Sequence, residues 1–453
     1  MLPFSFDYFP CSYISRDQVA GFLNELNRSS INLHSFVLQS HGVTVAEAYR
    51  SQYSSAGLQR CYSIAKTYTA IAIGLLADQQ RIGLDDAVYT YFPEYIPENP
   101  HPWITSMTIR DMLMMRTCFA KSTHNKADTD SDFCQAFFTA CPDHKPGTIF
   151  SYDSTAAYVL GVLVERITKL TLLDFLRQEL PQLEISAAAY MLRDSQGRSI
   201  CDSGLMCTTP DLLHLGQFLL DCASGQVSGI SPSFLEFMQD ACASLTPTLP
   251  RSSSRFEGYG YGYFTWSADF GCFLCYGIGG QFILVSPSQQ LVLVTTANTF
   301  LHLEANQLII NSFYTNILQA NYAESRYYSL ASVPPLLISG EYKYAIDPNE
   351  SGFTRLTLSL KEDGDCMLIL DTSDDHCLIP FNLKDNKNQP AAARGIWLDS
   401  STLFISVEAA DIDIKYTNYT LFFGQDDLVL SVRESGEGQT SSTFTTYYCS
   451  VLE

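Results

Sequence analysis

Long apolar runs are missing from this sequence. With no uninterrupted stretch of roughly eighteen apolar residues, no membrane-spanning helix is expected. The N-terminus, Met1-Leu2-Pro3-Phe4-Ser5-Phe6-Asp7, lacks the basic region and apolar core of a secretory signal, so a cytoplasmic protein is expected. Positive charge is scarce as well: 27 Lys and Arg stand against 48 Asp and Glu, a net charge of −21. That balance argues against nucleic acid or an anionic membrane as partner. Metal-site spacing is also lacking. The Cys272-Phe273-Leu274-Cys275 run has no second pair and no nearby His, so it does not read as zinc. The acidic run Asp128–Asp132 starts like a calcium loop but lacks the glycine and glutamate such a loop needs further on. His124 and His144 have no ligand spacing, and no Gly-rich phosphate loop precedes a helix. Neither a metal nor a cofactor is expected. Cysteine, by contrast, is plentiful: the 14 residues are scattered, and without an export signal they read as reduced, mostly buried thiols.

What is present is globular. Apolar residues make up 46% and charged residues 17%, and 453 residues are long enough for two or three domains. Residues 15–27 read as an amphipathic helix, and Leu33–Gln39 and Val43–Tyr49 as strands joined by the turn Ser40-His41-Gly42. A helix follows from Ser63 to near Gln79, and Thr108 is placed to cap another. A further helix runs from Ala156 to Thr168. Residues 170–250 look largely helical, broken at Ser203-Gly204. Strands are expected at Tyr259–Trp266, Gln281–Val285 and Leu291–Ala297, then a closing helix over Leu301–Gln319. After the link Ser332-Val333-Pro334-Pro335, short alternating runs such as Thr354–Leu360 and Leu428–Val432 indicate an all-β domain, a sandwich or small barrel. Its edge strands are candidates for pairing with another copy or for covering a cleft. The expected domains are residues 1–331 and 332–453.

One stretch carries chemistry. Cys61-Tyr62-Ser63-Ile64-Ala65-Lys66 contains Ser-x-x-Lys, followed by apolar residues at helical spacing: Ile64, Ala65, Tyr68, Ile71, Ala72, Leu75 and Leu76. Residues three apart share a helix side, so Ser63 and Lys66 can meet. A serine hydroxyl needs a base to become a nucleophile. A lysine serves as one only if burial or nearby positive charge lowers its pKa. Alone the pattern is unspecific; a helix cap beside a solvated lysine would look the same.

The rest of the chain makes it specific. Asp85-Asp86 and Pro93-Glu94 follow the Ser63 helix. Met107-Thr108-Ile109-Arg110-Asp111-Met112-Leu113 is similar to a "TIRDLL" helix, and Tyr152-Asp153-Ser154 to a Tyr-x-Asn/Ser motif. Ser203-Gly204-Leu205-Met206-Cys207-Thr208 precedes Asp211-Leu212 and Gly216 as a small-residue turn precedes a "DL..G" helix. In order and spacing these resemble the serine β-lactamase and penicillin-binding-protein superfamily, in its class C-like and esterase branch, over about residues 15–320. The resemblance implies an α/β (α+β) fold: an antiparallel sheet flanked by helices, with a large helical insert. It also implies roles. Ser63 would be the acyl-accepting nucleophile. Lys66 and Tyr152 would move the protons, with the identity of the base left open. Ser154 would hydrogen-bond Lys66 or the substrate, or else cap the helix that follows.

The third motif departs from the family. Lys-Thr-Gly or His-x-Gly is expected, and two frames fit: Cys275-Tyr276-Gly277, or Ile278-Gly279-Gly280. The second is preferred on sequence. It would put Gly279 and Gly280 at the strand edge and make the backbone N–H of Ser63 and of Gln281 the oxyanion donors. Neither Cys275 nor Ile278 supplies a cation for a substrate carboxylate. The resemblance therefore implies a hydrolase for a small neutral ester, amide or short peptide, with no nucleic acid and no membrane as partner. D-amino-acid peptidase, β-lactamase and acyltransferase activities are the alternatives on the same site. A different class, an inactive ligand-binding relative, rests only on the missing third-motif cation. Nothing in the sequence sets an oligomeric state.

Overall fold

The fold is that of a computed structural model. It describes residues 6–123, 132–246, 248, 260–299, 305–318, 339–383, 393–397, 400–410, 414–424, 427–436 and 443–452. Two compact units emerge: Met1–Cys141 with Phe150–Tyr327, and Pro142–Ile149 with Tyr328–Glu453.

The first unit is built on an antiparallel sheet. Its strands are β1 (Asp7–Tyr8), β2 (Asn32–Ser40) and β3 (Val43–Tyr49), with β7 (Trp266–Ser267), β8 (Phe273–Gly277), β9 (Gln281–Ser286) and β10 (Leu291–Asn298) from further along the chain. A separate small sheet holds β4 (Gln59–Tyr62), β5 (Tyr190–Met191) and β6 (Leu205–Cys207). The large sheet runs β1-β3-β2-β10-β9-β8-β7, so the N-terminal hairpin pairs with a strand from the far end of the unit. His41 and Gly42 both take positive φ, as a tight hairpin turn of right-handed twist requires.

The α-helices among the described residues are, in chain order, α1 (Arg16–Arg28), α2 (Ala65–Asp78), α3 (Pro102–Ser106), α4 (Ile109–Leu113), α5 (Phe133–Thr139), α6 (Ser154–Thr168), α7 (Leu172–Glu179), α8 (Thr209–Ala223), α9 (Pro232–Ala241) and α10 (Ala305–Ser312). Successive strand residues point to opposite faces, and β2 shows the result. Ser35 meets Thr209 of α8 at 2.7 Å, while Phe36 packs on Phe22 of α1. Both faces of the sheet are thus covered. Thr108 caps α4 and Thr208 caps α8, each in a reciprocal pair with an Asp three residues on.

Three local expectations are revised. The stripe on α2 becomes burial on every side, Ala65 through Leu76, because α6, α7 and α9 all pack against it. Gly74 permits the approach of α9: a Cβ there would lie 2.4 Å from the Phe237 ring. The strand expected up to Trp266 shrinks to β7, since Gly260 and Phe264 take positive φ and break the extended run. The region read as largely helical also contains β5 and β6. The link 332–335 lies outside the described residues, as do 301–304 and 319 of the closing helix.

Among the described residues the second unit is a closed barrel of nine strands. They are β11 (Gly340–Ile346), β12 (Arg355–Leu360), β13 (Asp365–Asp371), β14 (His376–Asn382), β15 (Ala393–Trp397), β16 (Thr402–Ala410), β17 (Ile414–Phe423), β18 (Asp427–Gly436) and β19 (Thr443–Val451). Alternate residues such as Leu356, Leu358, Leu368, Leu370, Leu403 and Ile405 fill the interior. Pairing of β11 with β19 closes the ring, so the edge strands expected from sequence are paired within it. Among the described residues no helix is long and apolar enough to cross a membrane.

The packing of α8 on the sheet generates a test. A Cβ on Gly216 of α8 would lie 2.5 Å from Val292 and 2.7 Å from Ile283. Gly216→Val should therefore destabilise the protein by about 1–3 kcal/mol, read from the urea midpoint, at an unchanged m-value.

Candidate active site

Strand β4 delivers Ser63 to the start of α2. Tyr62 takes a left-handed φ of 46°, which turns the chain sharply before the helix begins. The first turn of α2 then stacks Lys66 over Ser63. Lys66 Nζ donates to Ser63 Oγ at 3.0 Å and to the Asp202 carbonyl at 2.8 Å. The lysine is only 1% exposed. Burial pulls its pKa down to about 8, against the opposing pull of the Asp202 and Asp153 charges.

The second arm is residues 151–154. Ser151 donates its N–H to the Met115 carbonyl and its hydroxyl to that of Ala120. Asp153 caps α6 by accepting from Thr155 N–H, and also accepts from the Thr117 hydroxyl. Its burial pushes the carboxyl up to about 6. Ser154, for which capping was one of two expected roles, is instead the first residue of α6, and its N–H is taken by Ser122 Oγ at 2.7 Å. Anchored in this way, Tyr152 lies beside Lys66, whose Nζ is 5.1 Å from the ring centroid. On its other side the ring stacks on Trp266 at 5.6 Å and is hydrogen-bonded to buried Tyr261.

The third arm is the end of β8. A Cβ on Gly277 would lie 2.2 Å from the Cys61 carbonyl, so this glycine presses directly on the strand that leads to Ser63. Cys275 is buried and hydrogen-bonded to Thr67 of α2, and burial pushes its thiol up to about 12. Tyr276 points to the opposite face, where Asn306 of α10 donates to its hydroxyl at 2.7 Å. Ile278, Gly279 and Gly280 form the turn itself; Ile278 is 49% exposed, and both glycines have positive φ. Gln281 is buried, and its side-chain amide exchanges two hydrogen bonds with the backbone of Ala297 on β10.

The structure thus brings Ser63 and Tyr152 to Lys66, while Ser154 sits two residues beyond Tyr152 in the first turn of α6. It gives the Gln281 side chain to the sheet and Ile278–Gly280 to the hairpin turn. Sequence reasoning missed Asp153 as a cap, Trp266 and Tyr261 as the support of Tyr152, and Asp202. The last lies directly before the Ser203-Gly204 turn, so its acidity was visible and its proximity to Lys66 was not. His144 is buried and belongs to the second unit, whereas His124 and residues 128–131 lie outside the described residues. Among the described residues no group of three metal-ligating side chains occurs.

Known proteins resemble this chain in sequence and in fold. The chain is 23% identical over 240 residues to the 6-aminohexanoate-dimer hydrolase of Paenarthrobacter ureafaciens, covering 49% of this chain and 59% of that protein. It thus spans about three fifths of the length of that relative. The octameric penicillin-binding protein homologue from Pyrococcus abyssi shares its fold over 96% of this chain and 99% of that one, at 15% identity and a TM-score of 0.52. EstCE1, a hydrolase with promiscuous acyltransferase activity, matches 66% of this chain and 99% of its own at 15% identity, with a TM-score of 0.53. The profile of the beta-lactamase family matches residues 34–309, more than half of the chain. By that match, and by the fold that carries it, the chain belongs to the beta-lactamase family.

Proposed function

We propose that the protein is a serine hydrolase that cleaves a small neutral ester or amide through an acyl-enzyme. The observation that carries this is the buried Lys66 amine, 3.0 Å from Ser63 Oγ. The relatives support the reaction class: similar hydrolases include one named for a 6-aminohexanoate dimer and one with promiscuous acyltransferase activity. In the first step Ser63 Oγ attacks the carbonyl carbon, its proton moves to the Lys66/Tyr152 pair, and the carbonyl electrons move to oxygen. Collapse expels the leaving group, which takes up that proton. Water then repeats the sequence on the acyl-enzyme, or an alcohol or amine replaces it in acyl transfer. Ser154, whose N–H is held by Ser122, would bond Lys66 or the substrate.

For the oxyanion, the packing of Gly277 against Cys61 supports the Cys275-Tyr276-Gly277 frame over the one preferred from sequence. The donors would then be the Ser63 N–H and the N–H that follows Gly277, that of Ile278 rather than Gln281. The missing third-motif cation supports a neutral substrate. No cofactor is assigned. The 14 free cysteines support a reducing, cytoplasmic setting.

A fluorophosphonate should label Ser63, as read by peptide mass mapping. Ser63→Ala should lose the label and about 10³-fold or more of p-nitrophenyl acetate turnover. Absence of label from the wild-type protein would point to an inactive ligand-binding relative. An ammonium cannot accept the serine proton, so kcat/KM should rise with pH through about 8, the Lys66 value. A flat profile from pH 6 to 10 would remove Lys66 as the base. Gly277→Ala forces β8 away from Cys61 and should cost about 10²-fold in kcat with little change in KM. Full activity of that variant would reject this oxyanion frame.

A further inference from the structure

Lys66 is held by more than its serine. The stretch 200–204 lies along α2 and is fastened on several sides. Lys66 Nζ donates to the Asp202 carbonyl at 2.8 Å, and Thr69 Oγ1 donates to the Cys201 carbonyl at 3.1 Å. Gly204 N–H turns back to the Ile200 carbonyl at 2.7 Å, and Arg60 Nε reaches the Ser203 carbonyl at 3.3 Å. Cys201 is seated against α6, where a Cβ on Gly161 would lie 2.2 Å from its own Cβ. A loop tied down in this way gives Asp202 no route to extend its carboxylate into water, and the residue is 1% exposed. A carboxylate this deep requires a compensating charge or hydrogen bonds, and the Lys66 amine is bonded to the same loop.

We propose that Asp202 is a positioning residue whose carboxylate supplies the counter-charge for the Lys66 ammonium formed when Ser63 is acylated. This rests on the serine-hydrolase reading above. As the Oγ–carbon bond forms, the Ser63 proton passes to Lys66 Nζ and the carbonyl π electrons pass to oxygen. The site gains an ammonium in a buried position, and burial alone opposes that gain. A fixed carboxylate favours it and so makes Lys66 a stronger base. The other groups facing Lys66 are Ser63 on its own segment and Tyr152 and Asp153 just before α6, while the Cys201 side chain beside Asp202 is turned to Gly161 of α6. Tyr261 stands behind Tyr152, and Arg60 lies on the Ser203 side of the loop over the Tyr62 ring. Of these, Asp153 and Asp202 are the acids, and both oppose the effect of burial on Lys66. Asp153 has a second duty as the α6 cap, whereas Asp202 caps no helix among the described residues.

The test is the pH dependence of fluorophosphonate labelling of Ser63, which needs no knowledge of the natural substrate. Asp202→Asn keeps the shape and removes the charge. Its acid limb should move down by about one pH unit, because the neutral amine is then favoured. Its rate on the high-pH plateau should fall roughly three- to tenfold, because the base is weaker. Asp153→Asn retains a capping side chain and should move the limb the same way. A structural defect would lower the rate at every pH and leave the limb in place. An unmoved limb in Asp202→Asn, with Ser63 still labelled, overturns this inference alone. No label on wild-type Ser63 at any pH overturns the serine-hydrolase reading beneath it. Asp202→Ser serves as a second neutral variant if Asp202→Asn does not fold. Failure of both to fold would assign the carboxylate to holding the loop and reject its role as counter-charge.

Discussion

Everything at this site depends on one lysine being kept out of water. Lys66 is sealed between α2, the start of α6 and the loop before β6, and a buried amine is held closer to neutrality than an exposed one. Each neighbouring element can be read as a consequence of that constraint. The helix that carries Lys66 is apolar on every side, so three other helices can pack around it. Its small residues, Ala65, Ala70, Ala72 and Gly74, leave room for them. Polar groups that approach the amine arrive already bonded to something else: Asp153 to Thr155 and Thr117, and Tyr152 to Tyr261. A rigid polar shell of this kind has little left to reorganise when charge develops.

The large sheet supplies the opposing wall. Antiparallel pairing of β8 with β9 brings Gly277 opposite Gln281, and β10 fixes the hairpin from behind. Thr299 N–H bonds the Gly279 carbonyl, Thr295 bonds that of Gly280, and Gln281 locks to Ala297. The turn is thereby made part of the sheet. Glycine at 277 is required because the Cys61 carbonyl occupies the place of a side chain. At 279 and 280 the reason is different: the backbone takes positive φ there.

Different parts of this arrangement were legible in the sequence to different degrees. Ser63 and Lys66 could be paired from spacing alone, since helix geometry is local. Tyr152 carries no signal of its own among 26 tyrosines; only the order of motifs singled it out. Asp202 was hidden, because its contact with Lys66 spans 136 residues and no local pattern encodes it. The run Gly277-Ile278-Gly279-Gly280 left two registers open for the third motif, because several glycines compete for one structural role. Packing against Cys61 is what distinguishes them. The strand expected before Trp266 failed for a related reason: alternation along the sequence cannot reveal that Phe264 adopts a left-handed backbone. The barrel, in contrast, was readable as β structure because period-two alternation is its interior pattern, yet its closure was not, since that depends on pairing between its first and last strands.

That closure has a consequence for how the chain is made. β11, the first strand of the barrel to be synthesised, finds one of its two partners in β19, the last. The early segment Pro142–Ile149 belongs to the same unit, and the Tyr448 hydroxyl on β19 reaches the Asp143 carbonyl across 305 residues of chain. On a ribosome that segment emerges long before the strands it joins. The barrel unit therefore cannot be completed until β19 has left the ribosome, and long-range loop closure is its slow step.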